Sequence, residues 1–276
     1  MKRVLILVLA AQVALFVGGC EKKSGGPSGP GDVEGGAEPA VREREAFSPP
    51  VVVEEEEVVE PDPNRGLAGW WKLDEDSGTT AADSSGNGRD GTLMGNVSFD
   101  NNSVEGQVGN ALRLEGKGVY IQITGYKGVT GTAPRTVAAW IKTEHDNGQI
   151  LSWGREEGGA MFNFGFVPGR RRVGVTPEGG YLYMKDSTTD NKWHHVAAVV
   201  EEAALPNLYD NVKLFLDGDA AVIHDIGVLD LYPIQTGSDL DVSVGKGFSG
   251  ALDDVRLYDR ALTEKEIELL YKSTKK

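Results

Sequence analysis

Gly250-Ala251-Leu252-Asp253-Asp254-Val255-Arg256-Leu257-Tyr258-Asp259-Arg260-Ala261-Leu262, followed at once by Thr263-Glu264-Lys265-Glu266, is the stretch from which the fold is read. Leu252–Tyr258 carries the branched and aromatic residues of a strand. Thr263-x-x-Glu266 is a capping box, in which the threonine oxygen and the glutamate each take up an orphan N–H of a helix start. Ile267, Leu270 and Tyr271 then share one apolar helical face. No other segment reads as a clear helix. Working back along the chain, Val212–Leu216, Trp193–Val200, Thr136–Lys142, Tyr120–Thr124 and Ala111–Glu115 all read as short strands between glycine-rich turns. Val212, Leu214 and Leu216 alternate with Lys213, Phe215 and Asp217, the period of a strand buried on one face. Asp217-Gly218 and Asn87-Gly88 are tight-turn dipeptides. Many short strands with glycine turns define an all-β sandwich or barrel, and no 20–50-residue period points to a solenoid or propeller.

Several of these segments, in this order, resemble a laminin-G-like, concanavalin A-like domain. The resemblance rests on Gly69-Trp70-Trp71-Lys72-Leu73-Asp74-Glu75, on Asp83 to Leu93, and on Val108-Gly109-Asn110-Ala111-Leu112-Arg113-Leu114. It continues through Arg135 to Lys142 and Trp193-His194-His195-Val196-Ala197, and ends on the stretch quoted above. It spans residues 66–272 and implies a concanavalin A-like jelly-roll β-sandwich of two antiparallel sheets with a short C-terminal helix. Domains of this kind are used mostly for binding glycans or proteins.

The chain divides into three regimes. Its 276 residues carry a net charge of −14 and a single cysteine. One cysteine excludes an intrachain disulfide, and the acidity argues against nucleic acid, which requires a clustered basic surface. Met1-Lys2-Arg3 opens a basic start followed by an apolar run, Val4 to Val17, too short to span a bilayer. It closes on Val17-Gly18-Gly19-Cys20, which resembles the bacterial lipobox. That resemblance implies a lipoprotein signal peptide over 1–19, lipidation at Cys20, and a chain anchored to a membrane of the bacterial envelope outside the cytoplasm. Glu21 after the cysteine favours the outer membrane. Residues 20–64, rich in proline, glycine and glutamate, read as a disordered acidic stalk, and 65–276 as the jelly-roll domain.

Four groups of residues are candidates for chemistry. In the loop Asp83–Asp90, Asp83, Ser85 and Asn87 offer oxygens at alternate positions, with Gly88 permitting a sharp turn. The expectation is a structural Ca²⁺ held by Asp83, Asn87 and Asp253 with backbone carbonyls. The alternative is that Asp83 and Asn87 cap turns and Asp253 braces the loop by hydrogen bonds. Trp153, at a strand end, is the tryptophan expected at the surface, whereas Trp140 and Trp193 are expected in the core. Tyr181 and Tyr183 share one strand face and form a candidate aromatic platform for a sugar. Arg170-Arg171-Arg172 is the one basic cluster; Arg170 and Arg172 are candidate anchors for an acidic glycan. His194-His195 alternates in and out, and so reads as a packed, hydrogen-bonded pair rather than a zinc site.

No catalytic signature of this fold class is found. The Glu-x-Asp-x-x-Glu spacing that places acid and nucleophile on one strand face is missing, as are a Gln-Ile/Val-His lyase motif, a nucleophile elbow and a metalloprotease helix. The expected function is a lipid-anchored, non-catalytic recognition module, probing carbohydrate. The alternative is a protein-interaction or structural surface domain, and a hydrolase or polysaccharide lyase of the same fold stands behind both.

Overall fold

A computed structural model describes residues 60–228 and 233–276. The expected signal sequence, Cys20 and residues 20–59 of the expected stalk lie outside them. Elements follow in chain order as β1 (Leu67–Trp71), β2 (Thr80–Ala81), β3 (Gly91–Met94), α1 (Phe99–Asn102), β4 (Ser103–Glu105), β5 (Asn110–Glu115) and β6 (Tyr120–Ile123). Then come β7 (Arg135–Lys142), β8 (Gln149–Gly154), β9 (Met161–Phe166), β10 (Val173–Thr176), β11 (Gly180–Met184) and β12 (His194–Val200). The chain closes with β13 (Val212–Leu216), β14 (Asp219–Ala220), β15 (Ile223–Val228), β16 (Leu240–Val244), β17 (Ser249–Tyr258) and α2 (Glu264–Thr274).

The strands form two antiparallel sheets. One has eight strands, ordered β14-β13-β12-β7-β17-β5-β4 with β1 also paired to β17; the other has nine, ordered β15-β11-β10-β9-β8-β16-β6-β3-β2. Between them lies the main core. The eight-stranded sheet contributes Leu112, Val137, Ile141, Val196, Leu214, Leu252 and Leu257, and the nine-stranded sheet Ile121, Leu151, Phe162, Phe164, Val175, Leu182 and Val242. This is the expected jelly-roll sandwich.

β17 is the hub. It pairs with β7 on one side and with β5 and then β1 on the other. Its register slips between Asp253 and Arg256, where Asp254 takes a left-handed φ of 49°. This bulge lets Leu252 and Val255 both enter the core while Asp253, Arg256 and Tyr258 face away from it. The buried carboxylate of Asp254 accepts three bonds, at 3.1–3.2 Å, from Nε and Nη2 of the Arg256 guanidinium and one from Trp70 Nε1 at 2.5 Å. Arg256 in turn stacks over Trp70, 4.2 Å from the ring centroid.

The outer face of the eight-stranded sheet is covered by α2. Ile267 and Leu270 pack there with Ala138, Ala197, Val199, Phe215 and Tyr258. The capping box is formed as the sequence predicts: Thr263 Oγ1 accepts from Glu266 N, and Thr263 N donates to the Glu266 carboxylate at 2.9 Å. Glu266 also pairs with Arg260 at 2.7 Å, and Asp62 N donates to it at 3.2 Å. Arg260 further donates to the carbonyls of Asp62 and Arg65. The chain is therefore fastened to the domain slightly upstream of the boundary expected at residue 65. Among the described residues no helix is long and apolar enough to cross a membrane.

Candidate functional site

The outward side of the nine-stranded sheet shows what alternation leaves there. Leu93, Ile121, Val242, Leu151, Phe164 and Val175 point into the core, so their neighbours point out. Read across the register, those neighbours line up: Thr80 opposite Thr92, Thr92 opposite Gln122, Gln122 opposite Ser243, Ser243 opposite Ser152, Ser152 opposite Asn163, and Asn163 opposite Thr176. Seven neutral hydroxyl and amide side chains thus cross seven strands in one stripe, one every ~4.8 Å. Its centre is sunken. Ser152 and Ser243 are buried and share a hydrogen bond of 2.9 Å, while Gln122 and Asn163 are half-buried on either side. Two adjoining hollows open on it. One, of about 260 Å³, is lined among others by Gln122, Ser152, Ser243, Lys127 and Asp241; the other, of about 390 Å³, by Ser152, Asn163, Gln149 and Glu178. Lys246 borders both.

The stripe itself carries no formal charge, and its rim does. Lys127 pairs with Asp241 at 2.8 Å, and Gly125 N donates to the same carboxylate at 3.0 Å. These partners hold the Asp241 carboxyl below its ordinary range, the lysine hydrogen bond contributing most.

Beyond Thr176 the stripe meets the tyrosine pair. Tyr181 and Tyr183 stand on the same face, 5.8 Å between ring centroids, and Tyr183 is covered on its other side by His224 at 5.4 Å. Tyr183 is therefore nearly buried and supports Tyr181, which remains half-exposed. Gly174 lies opposite both Tyr183 and Gly165. A Cβ at 174 would collide with the Leu182 carbonyl and the Tyr183 backbone, so glycine is required for this close approach. Arg170 lies over the Tyr181 ring, 4.5 Å from its centroid, and donates to its hydroxyl at 2.6 Å. Arg172 instead donates to the carbonyl of Lys185 and Arg171 pairs with Asp146, so the arginine triplet presents one stacked guanidinium here rather than a bidentate clamp.

Three expectations need correcting. Trp153 is not at the surface: it is 0% exposed, stacks on Phe162 at 4.6 Å and donates from Nε1 to the Val129 carbonyl at 3.0 Å. The loop after β6 lies across it, and Gly128 makes that contact because a Cβ there would meet the indole ring. Trp193, expected in the core beside Trp140, is half-buried and lines a surface hollow.

The third concerns the metal set Asp83, Asn87 and Asp253, which does not share a cage. The Asp83 carboxylate accepts from the backbone N–H groups of Trp70, Ser85 and Arg89 at 2.9–3.1 Å. Burial works against that charge, but the Ser85 and backbone donors outweigh it and hold the carboxyl below its ordinary range. The Asn87 amide donates to the Leu67 and Ala68 carbonyls. Arg89 also donates to Ala68 and lies 3.9 Å over Tyr126, placing a guanidinium in the loop. Asp253 serves another segment, accepting from Val108 N at 2.7 Å. Turn capping and bracing thus absorb these oxygens. Among the described residues no group of three or more His, Cys, Asp or Glu converges on a point.

His194 and His195 part as alternation requires. His194 lies between Asp217 and Asp190, at 2.9 and 3.0 Å, and His195 is buried against Trp140.

A two-sheet sandwich with one open, hydroxyl-lined face and one helix-covered face has the architecture of a lectin-type jelly roll. A family model described as the concanavalin A-like lectin/glucanases superfamily matches residues 115–268, more than half of the chain, and the chain belongs to that superfamily. Among solved structures it is similar to domain 4 of AbnA, a GH43 extracellular arabinanase from Geobacillus stearothermophilus, in complex with arabinotriose. That match has 20% identity and a TM-score of 0.54, covering 74% of this chain and 98% of that one. It is also similar to the binding domain of Paraclostridial Mosquitocidal Protein 1, at 16% identity and a TM-score of 0.53, covering 77% of this chain and 53% of that one. No curated protein sequence matches. The superfamily holds both binding domains and glycosidases.

Proposed function

We propose that this domain is a non-catalytic carbohydrate-binding module whose glycan lies across the nine-stranded sheet, along the stripe from Thr92 to Thr176 and against the Arg170–Tyr181 pair. The observation that carries the reading is the stripe: five hydroxyl and two amide side chains in register across seven strands match a ligand that is itself a row of hydroxyls. Its sunken centre supplies the concavity that small-molecule sites need. The likeness to a domain seen with arabinotriose supports the ligand class. Stripe residues offer hydrogen bonds but no paired carboxylates at glycosidase spacing. In the same reading Cys20 carries lipid and tethers the domain to the bacterial envelope, outside the cytoplasm and at the outer membrane, by way of the acidic stalk.

The test is a glycan array with the wild type and with Asn163→Ala, Gln122→Ala and Tyr181→Ala. Wild-type binding to a defined oligosaccharide that drops by about tenfold or more in each variant supports the site, since one or two lost hydrogen bonds or a lost ring contact amount to that change. Silence across the array, or equal binding by all three variants, overturns it in favour of a protein-interaction domain.

A further inference from the structure

Another hollow lies elsewhere, on the outer face of the eight-stranded sheet, where none of its lining residues belongs to α2. It measures about 640 Å³. Its floor is Ser249, Gly250 and Ala251 at the start of β17. Gly250 has a φ of 146°, and a Cβ on it would press on the Lys142 carbonyl and the Thr143 side chain, so glycine is required for this close approach. Arg113 pairs with Ala251 from one side and Lys142 from the other, so two cations flank that alanine. By continuation of the His194–Ile141 register, Trp193 stands next to Lys142 with its ring half-exposed. Among the described residues neither Arg113 nor Lys142 joins an ion pair, although Glu105, Glu115 and Glu144 stand at the rim of the same hollow.

We infer a second glycan site here, for a sugar bearing a carboxylate. The acid group sits over Ala251 between Arg113 and Lys142, where both cations donate charge-assisted hydrogen bonds. The apolar face of the ring lies on Trp193. The rim glutamates accept from hydroxyls, and they repel a second carboxylate, which restricts the ligand to one acid group at this position. The stripe on the opposite sheet, by contrast, suits neutral sugar, so the two faces read different chemistry.

The intact chain is titrated calorimetrically with oligosaccharides of galacturonate, mannuronate and hyaluronan, and with the same sugars after carboxyl reduction. Expected is at least one acid probe that binds about tenfold or more tighter than its reduced form, with affinity falling as salt rises. That affinity is expected to drop about tenfold in Arg113→Gln and in Lys142→Gln and to survive Tyr181→Ala. The inference is overturned if no acid probe binds, if the reduced sugar binds as well, or if Tyr181→Ala rather than the cation variants removes binding. The reduced-sugar arm needs no variant, so a misfolded mutant leaves the test intact, and a failure here leaves the neutral stripe standing.

Discussion

His194 and His195 occupy opposite faces of one strand, and their protons respond to pH in opposite senses. The His194 ring is held by Asp217 and, less strongly, Asp190, which raise its pKa. Its stabilisation is full below its unfolded value of about 6.5 and is lost as pH climbs through the raised folded value. Burial pushes His195 down to about 4. The unfolded chain therefore takes up a proton that the folded chain refuses, and stability falls as pH drops from about 6.5 toward 4, by up to about 3 kcal/mol. Urea unfolding at pH 7 and pH 4.5 should show this loss in the wild type and much less of it in His195→Phe, which also removes a buried ring nitrogen, Nδ1, that has no partner. Asp253 works in the opposite sense over much of the same acid range. Burial pushes its carboxyl up to about 7, and its Oδ1 has no partner. The folded chain keeps a proton that the unfolded one loses above about pH 4, so stability is lost as pH rises across that window. Asp253→Asn keeps an acceptor for Val108 and removes the charge. We expect it to raise stability by about 1–3 kcal/mol at pH 8 and to leave it unchanged at pH 4, as read by denaturant midpoints. The opposed histidines were legible from alternation alone. Trp153 was not, because nothing near it in sequence announces that the distant loop at Gly128 folds over the ring.

At the scale of elements, α2 depends on one side chain used twice. Glu266 completes the capping box and also neutralises Arg260, the residue that holds the incoming chain at Asp62 and Arg65. Burial raises its pKa, yet Arg260 and the Thr263 donors together bring it to about 2. Thr263→Ala should cost about 1 kcal/mol, the ordinary value of a lost N-cap. Glu266→Ala should cost more, since it also leaves the Arg260 guanidinium without its carboxylate; thermal unfolding of the two variants distinguishes them. The strands of the eight-stranded sheet were legible because β7, β12 and β17 are long apolar runs. The cap was legible because its signal is local. The nine-stranded sheet was largely hidden: β2 and β3 are very short, β10 and β11 are broken by glycines, and β8 shifts register between Gln149 and Leu151. The stripe was hidden for a stronger reason, since each of its residues comes from a different strand and only the register aligns them.

For the whole molecule, the proposed anchor gives a direct expectation. Palmitate labelling in a bacterial host should mark the wild type and be lost in Cys20→Ala, with the variant recovered in the soluble envelope fraction; an unlabelled wild type removes the anchor from the proposal. The order in which the strands enter the eight-stranded sheet has a consequence of its own. β17 is the last strand in chain order among the described residues and the one against which β1, β5 and β7 must all close. Contacts of such long sequence separation form slowly. Short of Tyr258, β1 has no strand to pair with, and the β14-β13-β12-β7 and β5-β4 parts of the sheet lack the strand that joins them. The eight-stranded sheet therefore stays open until its final stretch appears, which fits the export to the envelope proposed above.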